Sequence, residues 1–159
     1  MIKINPLKTL PGQSLLVFSL PIIAVLAAAF VFHQTSASVR QIQLAPLAAM
    51  PDFVQTAHHD AQLAYRFAAE ESNHHLLHEL PCYCGCVYMG HENNLDCYLR
   101  KPRSEAVTVF DNHAVGCGIC VEITLDAMKR WSEGHNLDTI YPFIVETYSA
   151  RGPSTEDAV

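Results

Sequence analysis

The placement of its six cysteines constrains this chain more than any other feature of the sequence. Pro81 and Gly90 flank the densest run of cysteines and Gly85 lies inside it, so this segment is predicted to be a loop or tight turn rather than a regular helix or strand. Any fold must therefore bring loop thiols to a place where they can be paired, held by metal or kept reactive. The cysteines fall into three groups, a CxCxC run at Cys82, Cys84 and Cys86, a single Cys97, and a GCGIC run with Cys117 and Cys120.

Residues 1–38 predict export from the cytoplasm. Lys3 and Lys8 precede an uncharged apolar run, Ser14 to Phe32, that is about long enough to span a bilayer. The run is either kept as a single membrane anchor or removed at the small residues that follow it. Positive charges on its N-terminal side place the rest of the chain outside the cytoplasm in both cases. Residues 39–51 contain two prolines and are predicted to be a linker.

The rest of the chain predicts a small all-α domain over residues 52–150. Apolar residues recur in it with a period close to 3.6, which is typical of amphipathic helices. Asn136 is expected to cap the last helix, and the polar residues 151–159 are expected to form a disordered tail. The helices and helical turns are predicted over residues 52–71, 73–79, 93–99, 117–134 and 136–148.

Three disulfides are one interpretation of six cysteines, and an exported protein often contains them. The spacing of the first run does not favour disulfides, because a bridge across a single residue closes almost no loop and stores strain. An extended CxCxC segment would instead place Cys82, Cys84 and Cys86 on one side, about 6 to 7 Å apart. Gly85 would then let the chain bring them closer around a centre. A domain stapled by disulfides or zinc remains an alternative.

The second cysteine run suggests metal binding or redox chemistry. Cys117 and Cys120 are three residues apart at the predicted start of a helix, so both thiols lie on one face. A helix N-terminus favours the thiolate, which is the form that binds metal and also the form that reacts. The βαβ pattern expected around a thioredoxin-like pair does not precede this run. A thiol-disulfide redox protein is therefore kept as an alternative.

Two of the nine histidines are predicted to join the thiols. His91 lies five residues after the first cysteine run, and His113 lies four residues before the second. Asp96 and Asp111 are placed to orient these imidazoles, although a turn or cap role is more usual for an aspartate in a loop.

Thiolates with a few imidazoles select soft or borderline ions, such as copper(I), zinc or mercury. One tetrahedral zinc uses four ligands and leaves two of the six thiols unexplained, whereas closely spaced thiolates bridge several copper(I) ions more naturally. An iron-sulfur cluster is disfavoured outside the cytoplasm, and a c-type haem is excluded because no CxxC is followed by histidine. The sequence thus predicts extracytoplasmic handling or detoxification of a soft metal, copper(I) first and zinc as the alternative. The predicted ligands are Cys82, Cys84, Cys86, Cys97, Cys117, Cys120, His91 and His113.

Several other functions are not supported by the sequence. The formal net charge is −6 and no basic run occurs, which excludes nucleic acid as a partner. No HExxH or nucleophile-elbow pattern is present, so apart from the redox alternative the chain is not predicted to be an enzyme. The histidine pairs at 58–59 and 74–75 are predicted to lie on solvated helix faces, because adjacent side chains diverge by about 100°.

These motifs together resemble one known family. The AYRFAAE stretch, LPCYCGC with GH and DC downstream, and HAVGCGIC followed by two helices resemble the bacterial family defined by the PCYCGC motif, exported proteins and lipoproteins of uncharacterised function. The resemblance covers roughly Ala61 to Tyr148 and implies a small helical, extracytoplasmic domain whose cysteines, His91 and His113 match the family pattern. This chain lacks the lipobox cysteine of the lipoprotein members, which favours a membrane span or a cleaved signal. The resemblance supplies no activity, so metal binding is inferred from the thiols.

Overall fold

Six α-helices carry most of the fold in the computed structural model, which describes residues 39–100 and 109–157. They alternate with short 3-10 helices, and all of the described residues belong to one compact unit. The α-helices are α1 (Asp52–Gln55), α2 (His59–Ala68), α3 (His74–His78), α4 (His113–Gly116), α5 (Gly118–Ser132) and α6 (Leu137–Tyr148). The 3-10 helices are Leu47–Ala49, Glu71–Asn73, Cys86–Met89, Leu95–Cys97, Ser149–Arg151 and Thr155–Asp157.

One small sheet makes the domain mostly helical rather than all-α as predicted. Strand β1 (Leu99–Arg100) pairs antiparallel with β2 (Val109–Phe110), and Leu99 lies opposite Phe110. The backbone N–H of Asp111 continues the pairing by donating to the carbonyl of Tyr98 at 2.8 Å. This sheet fixes the segment that carries Cys97 beside the segment that leads to His113.

The predicted helix over residues 52–71 is interrupted, giving α1 and α2. The side-chain amide of Gln62 donates to the carbonyls of Gln55 and Ala57, at 2.8 and 3.1 Å, and so satisfies carbonyls at the break. His58 occupies the N-cap position of α2. The apolar face of α2 packs against α5, with Tyr65 fully buried and its ring 4.9 Å from that of Tyr98.

The two C-terminal helices confirm the sequence prediction. Helix α5 ends just before Gly134, whose φ of 91° is the left-handed conformation expected past a helix end. Asn136 precedes α6, although its side chain makes no capping bond to the backbone, and Pro142 is accommodated inside that helix. Helix α5 packs between α2 and α6 and brings its own N-terminus to the cysteine loop.

Two segments are more closely packed than the sequence suggests. In residues 39–51, predicted to be a linker, Ala45 is buried and exchanges hydrogen bonds with Arg66 of α2. In residues 151–157, predicted to be disordered, Thr155 is 1% exposed. Residues 39–51 thus add Ala45 and Met50 to the core, which a domain of this size needs, and Thr155 is held by hydrogen bonds to Cys82.

The predicted export signal or anchor lies outside the described residues. Within residues 39–100 and 109–157, every helix is too short or too polar to cross a bilayer.

Candidate metal centre

A turn at Gly85 draws the first cysteine run together. Gly85 has φ 78°, a left-handed conformation that glycine adopts without strain, and Cys86 then begins a 3-10 helix. The Sγ atoms of Cys82 and Cys84 lie 3.5 Å apart. This is closer than the spacing expected of an extended segment, so the run is folded around a centre rather than spread along one side.

The lone cysteine and the second run meet this turn. The Sγ of Cys97 lies 3.7 Å from that of Cys86 and 3.1 Å from that of Cys120. The thiols of Cys117 and Cys120 are 3.4 Å apart at the start of α5, which confirms that they share one face. Cys120 also lies 3.2 Å from Cys82 and is therefore central to the six thiols, which we call the thiol cluster.

Both predicted histidines adjoin the thiol cluster. The Nε2 of His113 lies 3.4 Å from the Sγ of Cys84. The rings of His91 and His113 meet edge to face, with centroids 5.1 Å apart. His91 is 7% exposed, and its Nδ1 has no hydrogen-bond partner among the described residues. A buried imidazole nitrogen without a partner beside thiols is consistent with a metal ligand.

The eight predicted ligands form three overlapping groups of four, in each of which the ligand atoms all lie within 4.8 Å of one another. The four-residue size matches the coordination number of tetrahedral sites. We name these the inner group (Cys82, Cys86, Cys97, Cys120), the outer group (Cys84, His113, Cys117, Cys120) and the third group (Cys86, His91, Cys97, His113).

The spacing of the thiols fits metal coordination better than disulfides. All six cysteines are described and all are free thiols. A disulfide needs sulfurs about 2.05 Å apart, whereas two thiolates on one tetrahedral zinc, each at about 2.3 Å, lie about 3.8 Å apart. The contacts of the thiol cluster run from 3.1 Å to 3.7 Å. Every contact is thus about 1 Å or more longer than a disulfide bond, and the longest approaches the edge length of a coordination tetrahedron.

The two main groups differ in exposure. Cys82, Cys97 and Cys120 are 0% exposed and Cys86 is 1% exposed, so the inner group is closed to solvent. In the outer group only Cys120 is fully buried, and the other three members are partly exposed.

Hydrogen bonds among the thiols distribute their protons unevenly. The bond from Cys117, and then that from Cys120, hold the pKa of Cys84 far below its ordinary value. The hydrogen bond with Cys120 is the main cause that lowers the pKa of Cys86 to about 2. Cys120 itself has a raised pKa, chiefly because of its hydrogen bond with Cys117. The Cys86 sulfur in turn raises the pKa of His91. A metal ion that enters the thiol cluster must displace the remaining protons.

A buried hydrogen-bond chain that the sequence did not reveal fixes Cys120. The amide of Asn94 donates to the hydroxyl of Thr124 at 2.6 Å, which donates to the Tyr98 hydroxyl at 2.7 Å, which donates to the carbonyl of Cys120 at 2.8 Å. Asn94, Tyr98 and Thr124 are each 0% exposed. Their polar atoms are brought together only by the packing of α5, so no local sequence signal marked them.

A second missed residue fixes Cys82. The backbone N–H of Cys82 donates to the Thr155 hydroxyl at 3.0 Å, and the N–H of Thr155 donates to the carbonyl of Cys82 at 2.9 Å. The residues are 73 positions apart in the chain. This reciprocal pair pins the C-terminal segment to the cysteine loop.

The two aspartates both accept backbone N–H groups in the segments around the thiol cluster. Asp111 accepts a hydrogen bond from the backbone N–H of His113 at 2.7 Å, and its Oδ2 lies 3.8 Å from the Nε2 of His91. Burial acts to raise the pKa of Asp111, but the hydrogen bond from the backbone N–H of His113 helps to hold that pKa below its ordinary value. Asp96 instead accepts the backbone N–H of Glu92 and closes a turn. Both aspartates thus take the turn or cap role that is more usual for a loop aspartate, and the Oδ2 of Asp111 accepts a hydrogen bond from Arg100 at 2.7 Å. At 3.8 Å, the contact of Asp111 with His91 is too long for a hydrogen bond, so the expected orientation of the imidazoles stays a prediction.

The remaining histidines near the cysteine run do not enter these groups. His58, His59, His75 and His78 are exposed, and none of the metal-binding groups among the described residues contains them. His74 is partly buried.

Comparison with known proteins identifies one family. The sequence model of the family described as "Protein of unknown function with PCYCGC motif" matches residues 28–156. The match covers most of the chain, so the chain belongs to this family, which confirms the resemblance noted in its sequence. No curated protein and no solved structure matches the chain.

Proposed function

We propose that this member of the PCYCGC family is an exported protein that binds thiophilic metal ions in its thiol cluster, copper(I) in the first place and zinc as the alternative. The observation that carries the proposal is the convergence of six thiols and two imidazoles into groups of four ligand atoms within 4.8 Å of one another. Such a donor set suits soft ions and not hard ones such as magnesium or calcium. The role is metal handling or detoxification outside the cytoplasm.

Two features of the thiol cluster bear on the identity of the ion. Cys120 lies within 3.5 Å of four other thiols, namely Cys82, Cys84, Cys97 and Cys117. Sharing of one thiolate between ions favours copper(I) clusters. Groups of four with sulfur and nitrogen donors are equally the arrangement of tetrahedral zinc. Copper(I) remains the leading ion because an exported protein meets copper outside the cytoplasm.

The decisive experiment is metal analysis of the full chain purified without oxygen. Loading with copper(I) or zinc, removal of loose metal and elemental analysis would give the number of bound ions, and competition with a chelator of known affinity would give the strength. X-ray absorption at the edge of the bound metal would count its sulfur and nitrogen ligands. We expect mostly sulfur ligands with a minor nitrogen contribution. A protein that keeps neither ion against a weak chelator would overturn the proposal.

A redox role is the second candidate, and one observation favours it. Cys117 and Cys120 lie 3.4 Å apart at the N-terminus of α5, where a dithiol centre would be placed. Cys120, however, is fully buried and contacts three further thiols, which gives it competing partners. An insulin-reduction assay separates the two functions, because a metal-binding protein without redox activity would not reduce insulin.

Export rests on the sequence of residues 1–38 and is tested separately. Fractionation of cells that express the chain, followed by N-terminal sequencing of the recovered protein, would show where the protein lies and whether the apolar segment is kept. Recovery of the intact chain from the cytoplasm would overturn export without affecting metal binding.

A further inference from the structure

The geometry points to two unlike metal positions that share the Cys120 thiolate: a resident ion in the inner group, and an ion in the outer group that is passed to soft-ligand acceptors from solvent. This inference rests on the proposed metal-binding function. It specifies how many ions bind, which ligand bridges them and which of them is transferred.

With four ligands to each ion, the ligand groups accommodate two ions. The inner and outer groups have only Cys120 in common, and together they use all six cysteines. A thiolate sulfur has lone pairs enough to bridge two ions. The third group takes Cys86 and Cys97 from the inner group and His113 from the outer group. A neutral imidazole nitrogen binds one ion, so the third group cannot be filled while His113 serves the outer ion.

The inner position is closed to solvent, and hydrogen bonds to the backbone hold two of its cysteines. Its four cysteines are between 0% and 1% exposed. Cys82 is clamped by the reciprocal hydrogen bonds with Thr155, and Cys120 is held through its carbonyl by Tyr98. An ion in this position can be reached only if these elements separate, so its release is expected to be slow.

The outer position opens to solvent between two glycines. A Cβ atom built on Gly116 would meet nothing within 4 Å, and one built on Gly118 would meet only a carboxylate oxygen of Glu122, at 3.8 Å. Val115, next to them, is 40% exposed. Cys117 lies between these glycines, so an incoming ligand meets little side-chain obstruction as it approaches the outer ion.

Transfer from this position is a ligand exchange without electron transfer. The acceptor thiol forms a bond to the outer ion as the bond to Cys117 breaks, and the proton of the acceptor passes to the released Cys117 thiolate. A second exchange at Cys84 follows in the same way, and the bonds of the outer ion to His113 and to Cys120 then break, so that the ion leaves with the acceptor. Cys120 keeps its bond to the inner ion throughout and so leaves the inner position filled.

A cleft beside His91 offers a different route that the experiment must exclude. Its volume is about 420 Å³, and it is lined by Met89, Gly90, His91, Asp96, Leu99, Arg100 and Asp111. The cleft therefore reaches an imidazole of the third group, but its described lining contains no cysteine of the outer group.

The first test counts and distinguishes the ions with cadmium(II), a soft probe ion. The full chain is loaded with ¹¹³Cd and studied by NMR, in which the chemical shift reports the number of sulfur ligands. We expect two resonances, one from four sulfurs and one from three sulfurs and a nitrogen, with coupling between them through the bridging sulfur. A protein that binds only one equivalent of cadmium and shows a single resonance would overturn this inference and leave metal binding intact. No bound cadmium, copper(I) or zinc would overturn the proposed function itself.

The second test follows the removal of cadmium(II) from the loaded full chain by dimercaptosuccinate, a small dithiol acceptor. We expect one equivalent to leave quickly and the other at least tenfold more slowly. Cys117→Ser should abolish the fast phase and leave the slow one. Gly116→Phe should keep both ions but slow the fast phase, since Gly116 is not in the left-handed conformation and accepts a side chain there. Thr147→Phe, on an exposed position of α6, is the bulky control and should change neither phase.

Two outcomes of the removal experiment would contradict the inference. Release of all metal in one phase would show that the positions are equivalent. A fast phase unaffected by Gly116→Phe would show that the outer ion leaves by another route, such as the cleft beside His91.

Discussion

The Sγ atoms of Cys97 and Cys120 lie 3.1 Å apart, although the two residues are 23 positions apart in the chain. The contact joins the 3-10 helix Leu95–Cys97 to the first turns of α5. Both residues are fully buried. At this point the loop cysteines and the helix cysteines become one cluster, and Cys120 is the member that the inner and outer groups share.

Substitution of the shared cysteine should be the most damaging change in the thiol cluster. Cys120→Ser removes a ligand from both groups at once. We expect the affinity for both ions to fall by more than roughly 10- to 100-fold, which is the loss caused by removing a residue that only hydrogen-bonds to a metal ligand. Cys117→Ser is the matched control and should lose only one ion. Elemental analysis measures the number of bound ions in each variant, and chelator competition measures their affinity. Equal losses in the two variants would show that Cys120 is not shared.

The ligand residues could be predicted from sequence because their chemistry is local. The CxCxC and GCGIC runs need only a turn and a helix start, and Gly85 and the beginning of α5 provide them. Cys97, His91 and His113 were predicted from their proximity in sequence to these runs. The structure brings all of them together, while their binding of metal stays a prediction.

The support of the site could not be predicted because it depends on long-range packing. Tyr98 and Thr124 meet only when α5 docks, and Thr155 lies in a polar tail whose composition indicates disorder. The same holds for Ala45, whose hydrogen bonds to Arg66 order a segment that its prolines suggested was a linker. Composition describes a segment in isolation and not the surface that it covers.

Removal of the Tyr98 hydroxyl should destabilise the domain. In Tyr98→Phe the carbonyl of Cys120 loses its donor and the hydroxyl of Thr124 loses its acceptor, both in a buried site. We expect the free energy of unfolding of the metal-free protein to fall by about 1–3 kcal/mol. Urea denaturation measures this. Tyr88→Phe, at an 84% exposed position, should change it by less than about 0.5 kcal/mol.

If Tyr98→Phe and Tyr88→Phe unfold at the same urea concentration, the buried hydrogen-bond chain through Tyr98 contributes nothing measurable to the stability of the protein. Ultraviolet circular dichroism on both proteins would first establish that each is folded. A loss of metal affinity in Tyr98→Phe beyond the change in stability would indicate that the chain also positions Cys120.

The Thr155 clamp should matter for the inner ion. Thr155→Val keeps the shape of the side chain but removes the oxygen that accepts the N–H of Cys82, so a buried donor is left without a partner. We expect a loss of about 1–3 kcal/mol in stability and faster release of the slowly exchanging ion. Thr147→Val, at an exposed position on α6, is the matched control. Unchanged release from Thr155→Val would show that the C-terminal segment does not hold the inner position.

Cysteine and histidine substitutions should separate the site from the solvated surface. Cys84→Ser removes a ligand of the outer group, so we expect about half of the bound metal to be lost from a two-ion cluster. The side chain of His58 is 82% exposed, and it contacts Asp60, whose N–H it caps at 3.4 Å and whose Oδ2 lies 3.9 Å from its Nδ1. His58→Ala should therefore leave the metal content unchanged. A larger loss from His58→Ala than from Cys84→Ser would contradict the location of the site.

The two histidines should differ, because they belong to different groups. His113 lies 3.4 Å from Cys84 and completes the outer group, whereas His91 occurs only in the third group. We expect His113→Ala to lose the rapidly exchanging ion and His91→Ala to keep two ions, with at most a moderate change in affinity. X-ray absorption should then show that the nitrogen contribution disappears in His113→Ala and persists in His91→Ala. The reverse result would place an ion in the third group, in which case the partnerless Nδ1 of His91 is the ligand that holds it.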